Sequence, residues 1–557
     1  MGIYALFVLL SYAFSDYKEF SILGYNGRFE GTLVILAYLL MLFYTINAVN
    51  SEKNVKAILV CVAASCTLLC LLGFSQGTGH DFFRTTIGKK LILPVSQWEN
   101  LDSLNFTFNN NEIYQTVYNI NYVSFYLALI IPIFAMLMIY ALNNIKKSKG
   151  TAVLGIALAV FFAALIYNLA GSKSAGGIAG LAVAFVCAVV LFNKRLIKWW
   201  KSIAVMVVVM MVMMAATSSL WLPEITGTFS GMKSDTVTSD AVSDTSDSES
   251  GTDDAAAAET SEEESADAGA TVVPYIDYIE TDGFIIRFSV EGNELDVETV
   301  IDAEQGAFET LSLTDSDGNT IGVKEVPQGD TIKYAVMDDR FYDYLNLYLT
   351  KGEDDGLILV LCTVDKQWPF AIQSNGVFYR NGFGKLTSLE KVKEYGFKNN
   401  PSFGSGRGFI WSTTLGMLGD NIVIGDGADT YCINYPHNNY AGKYNAKWDN
   451  QDLIVDKPHN MYLNMFQGTG GISVLAFIAM MVIYLIQSIK ALHGVNYTHW
   501  IEYAASGIFL GVIGFLVGGI FNDSTVSTMP LFYTMLGTGI AVNILLEHKK
   551  KEVKSWN

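Results

Sequence analysis

Cysteine is scarce, at six residues in a chain of 557. Cys61, Cys66, Cys70 and Cys187 fall inside apolar runs, where they serve as small fillers. Only Cys362 and Cys432 lie outside such runs. That leaves one pairing open and excludes a disulfide framework. The hydrophilic middle has no basic stripe interleaved with aromatic residues, so no nucleic-acid partner is expected. Carboxylates and histidines do not cluster at ligand spacing, and Asp420, Asp426 and Asp429 do not fit a calcium loop. No metal and no cofactor are therefore expected. The apolar runs show no internal repeat of the kind that marks many exporters. Residues 1–14 lack a basic leader and a small-residue cleavage site, so they do not read as a signal peptide.

What the chain does have is hydrophobicity: 51% of its residues are hydrophobic. Ten stretches are apolar enough to span a bilayer, roughly 1–14, 32–50, 56–74, 122–142, 151–169, 175–193, 202–222, 462–487, 504–521 and 529–546. Lys53 and Lys56, Lys146 to Lys149, Lys194 to Lys201, Lys490 and Lys549 to Lys551 fall in alternate connections. The positive-inside bias then puts both termini in the cytoplasm and 223–461 outside. The expected fold is a polytopic α-helical membrane protein with an inserted extracellular β-rich domain. Seven spans are expected in 1–222, and three spans with a basic tail in 462–557.

The net charge of −18 is mostly local. Residues 233–270 hold twelve carboxylates and almost no large apolar residues. The region 223–271 therefore reads as a disordered acidic tether. Calcium binding by it is the alternative. Between 272 and 400, alternating runs such as 284–288, 331–336 and 357–361 are bounded by Asp282-Gly283, Asp317-Gly318-Asn319 and Asn375-Gly376. These are strand and turn signals. With no histidine there, the domain suits recognition or spacing better than chemistry. The segment 401–461 opens with a helix to about Leu418 that puts Arg407 and Trp411 one turn apart. A glycine-rich connector follows at 420–429.

Pro458-His459-Asn460-Met461-Tyr462 stands at the mouth of the eighth apolar run. Asn460, Asn464 and Gln467 follow on one helical face, which should point into the bundle beneath the histidine. Two readings of His459 stay open on residue type: a helix-capping interfacial histidine, or a base over a wet pocket. Pro436-His437-Asn438-Asn439-Tyr440 repeats the pattern in a polar loop, where His437 reads as exposed or structural. Gly171-Ser172-Lys173-Ser174-Ala175 is a tight connection between two spans. Lys173 there is either a solvated lysine or, with neighbouring backbone N–H groups, an anion site.

These stretches resemble motifs of the bacterial O-antigen ligase and O-antigen polymerase family of polytopic glycosyltransferases, in a Gram-positive-type form with an inserted domain. Residues 171–175 are similar to the family's Ser-Arg-Gly turn, and 405–411 to its external arginine-to-tryptophan helix, followed by Gly425-x-Gly427. Residues 458–470 are similar to its His-Asn motif, and Phe521-Asn522 through Phe532 to its penultimate external turn. Gly27 to Gly31 and Asn119 to Tyr122 are weaker matches. Lys173 replaces the family's arginine, which loses a bidentate fork. Members usually carry spans ahead of the Arg28 segment, so further spans are expected there.

The resemblance implies a GT-C-like fold and transfer of a glycan from polyprenyl pyrophosphate to a glycan, lipid or cell-wall acceptor on the outer face of the membrane. It implies His459 and Arg407 as catalytic residues, with Lys173, Ser172 and Arg407 binding the donor pyrophosphate. Asn460, Trp411 and Gln467 would support them. An imidazole suits a general base, and fixed cations suit charge building on phosphate oxygens. A polymerase joining repeat units is the alternative, ahead of an exporter or a surface-binding protein.

Overall fold

The computed structural model describes residues 1–106, 108, 111–117, 119–221, 274–301, 308–352 and 356–555. The expected tether at 223–271 lies outside them. The chain divides into two compact units. Unit 1 comprises Met1–Asp247, Asp420–Tyr431 and His459–Asn557; unit 2 comprises Ser248–Gly419 and Cys432–Pro458. Eight helices come first: α1 (Gly2–Phe14), α2 (Lys18–Leu23), α3 (Thr32–Ala48), α4 (Glu52–Gly77), α5 (Thr86–Ile92), α6 (Ile120–Asn143), α7 (Lys149–Gly171) and α8 (Ala175–Ala216). After the strands come α9 (Phe403–Met417), α10 (Tyr431–Asn434), α11 (Tyr440–Asn445), α12 (Met461–Thr469), α13 (Gly471–Leu492), α14 (Trp500–Gly518) and α15 (Met529–Ser555).

Among the described residues, seven helices are long and apolar enough to cross a membrane: α4, α6, α7, α8, α13, α14 and α15. Helices α1 and α3 are apolar but shorter. Together with a separate β-sheet region, this fits a polytopic helical membrane protein. The expected runs 175–193 and 202–222 both fall within the helical element α8. As a straight rod, 42 residues would measure about 63 Å. Yet Leu220, just past its end, comes within 3.5 Å of the Cβ position of Gly171, just before its start. Helix α8 therefore doubles back. Arg195 donates to the Val495 and Asn496 carbonyls, and Ser202 to Asn143, so the bend lies at the C-terminal end of α6.

That end is the basic end of unit 1. Lys549 pairs with Glu52 there, and Lys550 donates to the Ala491 and His493 carbonyls. The opposite end collects the starts of α6 and α8 and the end of α14. Helix α14 packs between the other two through glycines. A Cβ on Gly511 would lie 2.1 Å from the Leu129 carbonyl oxygen, and one on Gly180 only 2.2 Å from that of Gly514. Small residues let membrane helices approach this closely, where dispersion rather than hydrophobicity drives association. Phe125, Phe515 and Phe532 stack beside them at 3.9 and 4.5 Å, joining α6, α14 and α15.

Unit 2 is built on two antiparallel meanders. The first holds β1 (Ile276–Asp282), β2 (Ile285–Val290), β3 (Asn293–Ile301) and β4 (Phe308–Asp315) in sequence order. The second runs from β5 (Val323–Gln328) through β6 (Thr331–Val336), β7 (Asn346–Lys351), β8 (Leu357–Cys362), β9 (Gln367–Gln373) and β10 (Gly376–Arg380) to β11 (Leu386–Thr387). The three expected turns connect β1 to β2, β4 to β5 and β9 to β10. Fully buried Phe288, Phe341, Trp368 and Phe370 form the core, with Tyr440 of α11 added to it. The Asn445 side chain ties α11 to β1 by bonding both the N–H and the carbonyl of Ile276. No disulfide joins Cys362 to Cys432, so the pairing left open above does not form.

Gly511→Ala is expected to destabilise the full-length protein by about 1–3 kcal/mol, because the Leu129 carbonyl cannot retreat from the new methyl. Gly150→Ala, where a Cβ meets nothing closer than 3.7 Å, is expected to be neutral. Thermal unfolding of both variants in the same detergent checks the difference.

Candidate functional site

Helix α12 begins at an N-cap, Asn460, whose side chain accepts from the N–H groups of Tyr462 and Leu463. Asn460 thus caps its own helix instead of facing a pocket, and the expected polar stripe is divided. The helix is also shorter than the expected run from 462 to 487. It stops at Thr469 because Gly470 takes φ +92°, and the spanning helix is α13. His459 therefore heads a nine-residue helix that precedes the span.

His459 is held in the left-handed region at φ +51°, which is uncommon for a residue with a Cβ. The turn after α14 fixes it there. The Met461 N–H reaches the Gly519 and Asn522 carbonyls, both at 2.8 Å. The Asn522 side chain in turn donates to the Gly518 carbonyl. This arrangement brings Asp523 to the histidine, with Nδ1 of His459 2.9 Å from Oδ2 of Asp523. The carboxylate side chain is fully buried, whereas the imidazole keeps 34% of its surface exposed. An ionised carboxylate only accepts, so Nδ1 carries a proton, and in the neutral imidazole Nε2 is then the lone pair. The pair is a positioned imidazole backed by a buried carboxylate, the same division of labour as in hydrolase triads.

Further acids buttress the pair. Ser524, next to Asp523, donates to Glu30, which is buried and also accepts from the Tyr38 hydroxyl. Asp429 accepts from the N–H groups of Tyr25 and Glu30, which fixes the loop before α3. Gln467, fully buried, donates to Asp426 at 2.9 Å. The connector at 420–429 is thus part of unit 1. The Asp426 and Gly427 N–H groups bond the Gln467 and Gly468 carbonyls. Gly425 must lack a side chain there, since a Cβ would sit 2.4 Å from the Gly468 carbonyl carbon.

The turn after α7 lies against the same region. A Cβ on Gly176 would come within 2.7 Å of the Asn522 side chain. Lys173 within this turn is half-buried at φ +52°. Ser172 is fully buried and its hydroxyl donates to the Leu169 carbonyl, so its part is to shape the turn.

Arg407 and Trp411 belong to unit 2. Three successive residues, Gly404, Ser405 and Gly406, take positive φ ahead of the regular part of α9. The Arg407 guanidinium donates to the Gly404 carbonyl at 2.7 Å across this turn. Trp411 is buried one turn later, and its indole N–H donates to the Pro458 carbonyl at 2.8 Å. The twin histidine differs from His459 in kind. Nδ1 of His437 accepts from the Val455 N–H, so Nε2 is the donor to the Cys432 carbonyl at 2.7 Å. With both nitrogens used, His437 is structural and not exposed.

Asp523 was not among the expected site residues. Its signal in the sequence is a carboxylate directly after Phe521-Asn522, in a turn between two apolar runs. The residue it serves lies 64 positions away. No family model matches the chain, and neither a curated protein nor a solved structure matches it.

Burial holds the His437 imidazole below its ordinary value. The unfolded chain therefore binds this proton more readily than the folded one. The stability that neutral His437 contributes is present above the ordinary imidazole value of about 6.5 and is lost as pH falls below it. Chemical denaturation between pH 7.5 and 5 is expected to show a decline that His437→Gln flattens. An unchanged slope in that variant would contradict this.

Proposed function

We propose that the chain is a glycosyltransferase of the O-antigen ligase type, moving a glycan from polyprenyl pyrophosphate to an acceptor hydroxyl. The observation that carries this reading is the His459–Asp523 pair, which presents a bare Nε2 at the glycine-packed end of a helical membrane unit. The acceptor oxygen attacks the anomeric carbon, and its proton passes to Nε2. The carbon–oxygen bond to phosphate breaks, and polyprenyl pyrophosphate leaves with the electron pair. No nucleotide is needed, because the activated bond already exists in the donor. Asp523 orients the imidazole and stabilises the imidazolium that forms.

In this proposal a fixed cation meets the pyrophosphate, where charge builds as the bond breaks, and Lys173 of unit 1 and Arg407 of unit 2 each suit that role by residue type. Asn460 and Gln467 hold α12 within unit 1, and Trp411 holds the Pro458 backbone within unit 2. The proposal also sets the orientation. The basic connections that gather at one end of unit 1 face the cytoplasm, by the positive-inside bias. The histidine end then faces outward, and by the same loop charges residues 223–461 are extracellular. The chain crosses ten times, α8 crossing twice, and takes a GT-C-like arrangement in a cell membrane. The product enters cell-surface polysaccharide.

The test is transfer from a defined polyprenyl-pyrophosphate glycan in proteoliposomes. His459→Ala is expected to abolish transfer in correctly inserted protein, whereas His437→Gln keeps it. Arg407→Lys is expected to lose most activity with the fork, and Lys173→Arg to retain it. The opposite ranking of the two histidines, or full activity in Arg407→Ala, would overturn the reading.

A further inference from the structure

Between α4 and α6 the chain builds a small element that the proposed chemistry does not use. Helix α5 and the short 3-10 stretch Val95–Ser103 form a compact hairpin. Its base is firmly tied to unit 1. The Gln76 side chain bonds both the N–H and the carbonyl of Gln115, and Asp81 accepts from the Tyr114 hydroxyl. Lys89 closes the hairpin by donating to the Leu101 carbonyl at 2.8 Å. Helix α5 has seven residues, too few to cross a bilayer.

Yet its outer surface is strongly apolar. Ile87 and Leu91, one turn apart, are each 69% exposed, Val95 is 72% exposed and Trp98 is 40% exposed. Lys90 lies over the Trp98 ring at 5.1 Å. No carboxylate occurs from Thr85 to Trp98. A fixed apolar face edged by lysines and a tryptophan is the composition of an element lying in the bilayer interface. Its level agrees. Helix α4 runs from Glu52, at the basic end, to Gly77 at the histidine end, and α5 starts nine residues further on.

We propose that Thr86–Ile92 and the turn through Trp98 form an interfacial anchor. Ile87, Leu91 and Val95 enter the boundary between headgroups and acyl chains, and Lys90 meets lipid phosphates. The occupant of this face is the bilayer surface, and the anchor sets the depth at which the histidine end of unit 1 rides. The inference is independent of the reaction proposed above.

The test uses the full-length protein in nanodiscs of phosphatidylcholine and phosphatidylglycerol. An environment-sensitive fluorophore is placed at Leu91→Cys or Val95→Cys in a chain whose native cysteines are alanine. Nitroxide at carbon 5 of the lipid is expected to quench either label at least twofold more than nitroxide at carbon 12. A label at Glu99→Cys is expected to answer to aqueous iodide instead. The native-cysteine chain gives a second readout: the emission lost in Trp98→Phe is the component that shallow brominated lipid quenches. Labels at 91 and 95 that respond to iodide as the Glu99 label does would overturn the proposal. Protection that grows with protein concentration and ignores lipid nitroxide would overturn it too, assigning the face to a second copy.

Discussion

The hydrogen bond between Nδ1 of His459 and the buried carboxylate of Asp523 is the contact on which the candidate site depends. A fully buried carboxylate is expensive to keep unless it is bonded, and its partner here is a ring that still reaches solvent. Holding that ring requires left-handed backbone at His459 and a turn after α14 that turns two carbonyls towards the Met461 N–H. The turn can approach only because α14 packs closely on α6 and α8 through glycines. Close helix packing, turn geometry and ring orientation thus form one chain of dependence, which runs from ordinary membrane packing to a basic nitrogen.

The acids around the pair extend the same logic. Glu30, Asp426 and Asp429 are engaged with hydroxyl, amide and backbone donors from separate stretches of the chain. Buried polar networks of this kind fix one arrangement when they are satisfied. They tie the loop before α3, the 420–429 connector and the 521–524 turn together at one end of the bundle. Trp411 serves unit 2 in a comparable way by holding the Pro458 carbonyl.

Much of this was legible in the sequence, for physical reasons. The long apolar runs are helical among the described residues, because a bilayer leaves the backbone few other ways to satisfy its hydrogen bonds. The Asp-Gly and Asn-Gly turns of unit 2 fell where positive φ is needed. His459 stood out because a histidine beside an apolar run needs a reason. What escaped was tertiary. Asp523 looks like any turn carboxylate until folding carries it to the imidazole. Gly470 breaks the helix after α12 through a close approach to the 420–429 connector, which no local pattern announces. The runs 175–193 and 202–222 fall in one helical element that doubles back, a reversal that no glycine or proline between them announces.

Whether Asp523 orients His459 for proton removal is measured most directly by steady-state transfer with Asp523→Asn in proteoliposomes. The amide keeps the shape of the carboxylate but can hold the ring in the wrong tautomer. The expected result is a fall in kcat on the order of a hundredfold or more, with the donor KM essentially unchanged. A kcat equal to that of the parent protein would contradict it.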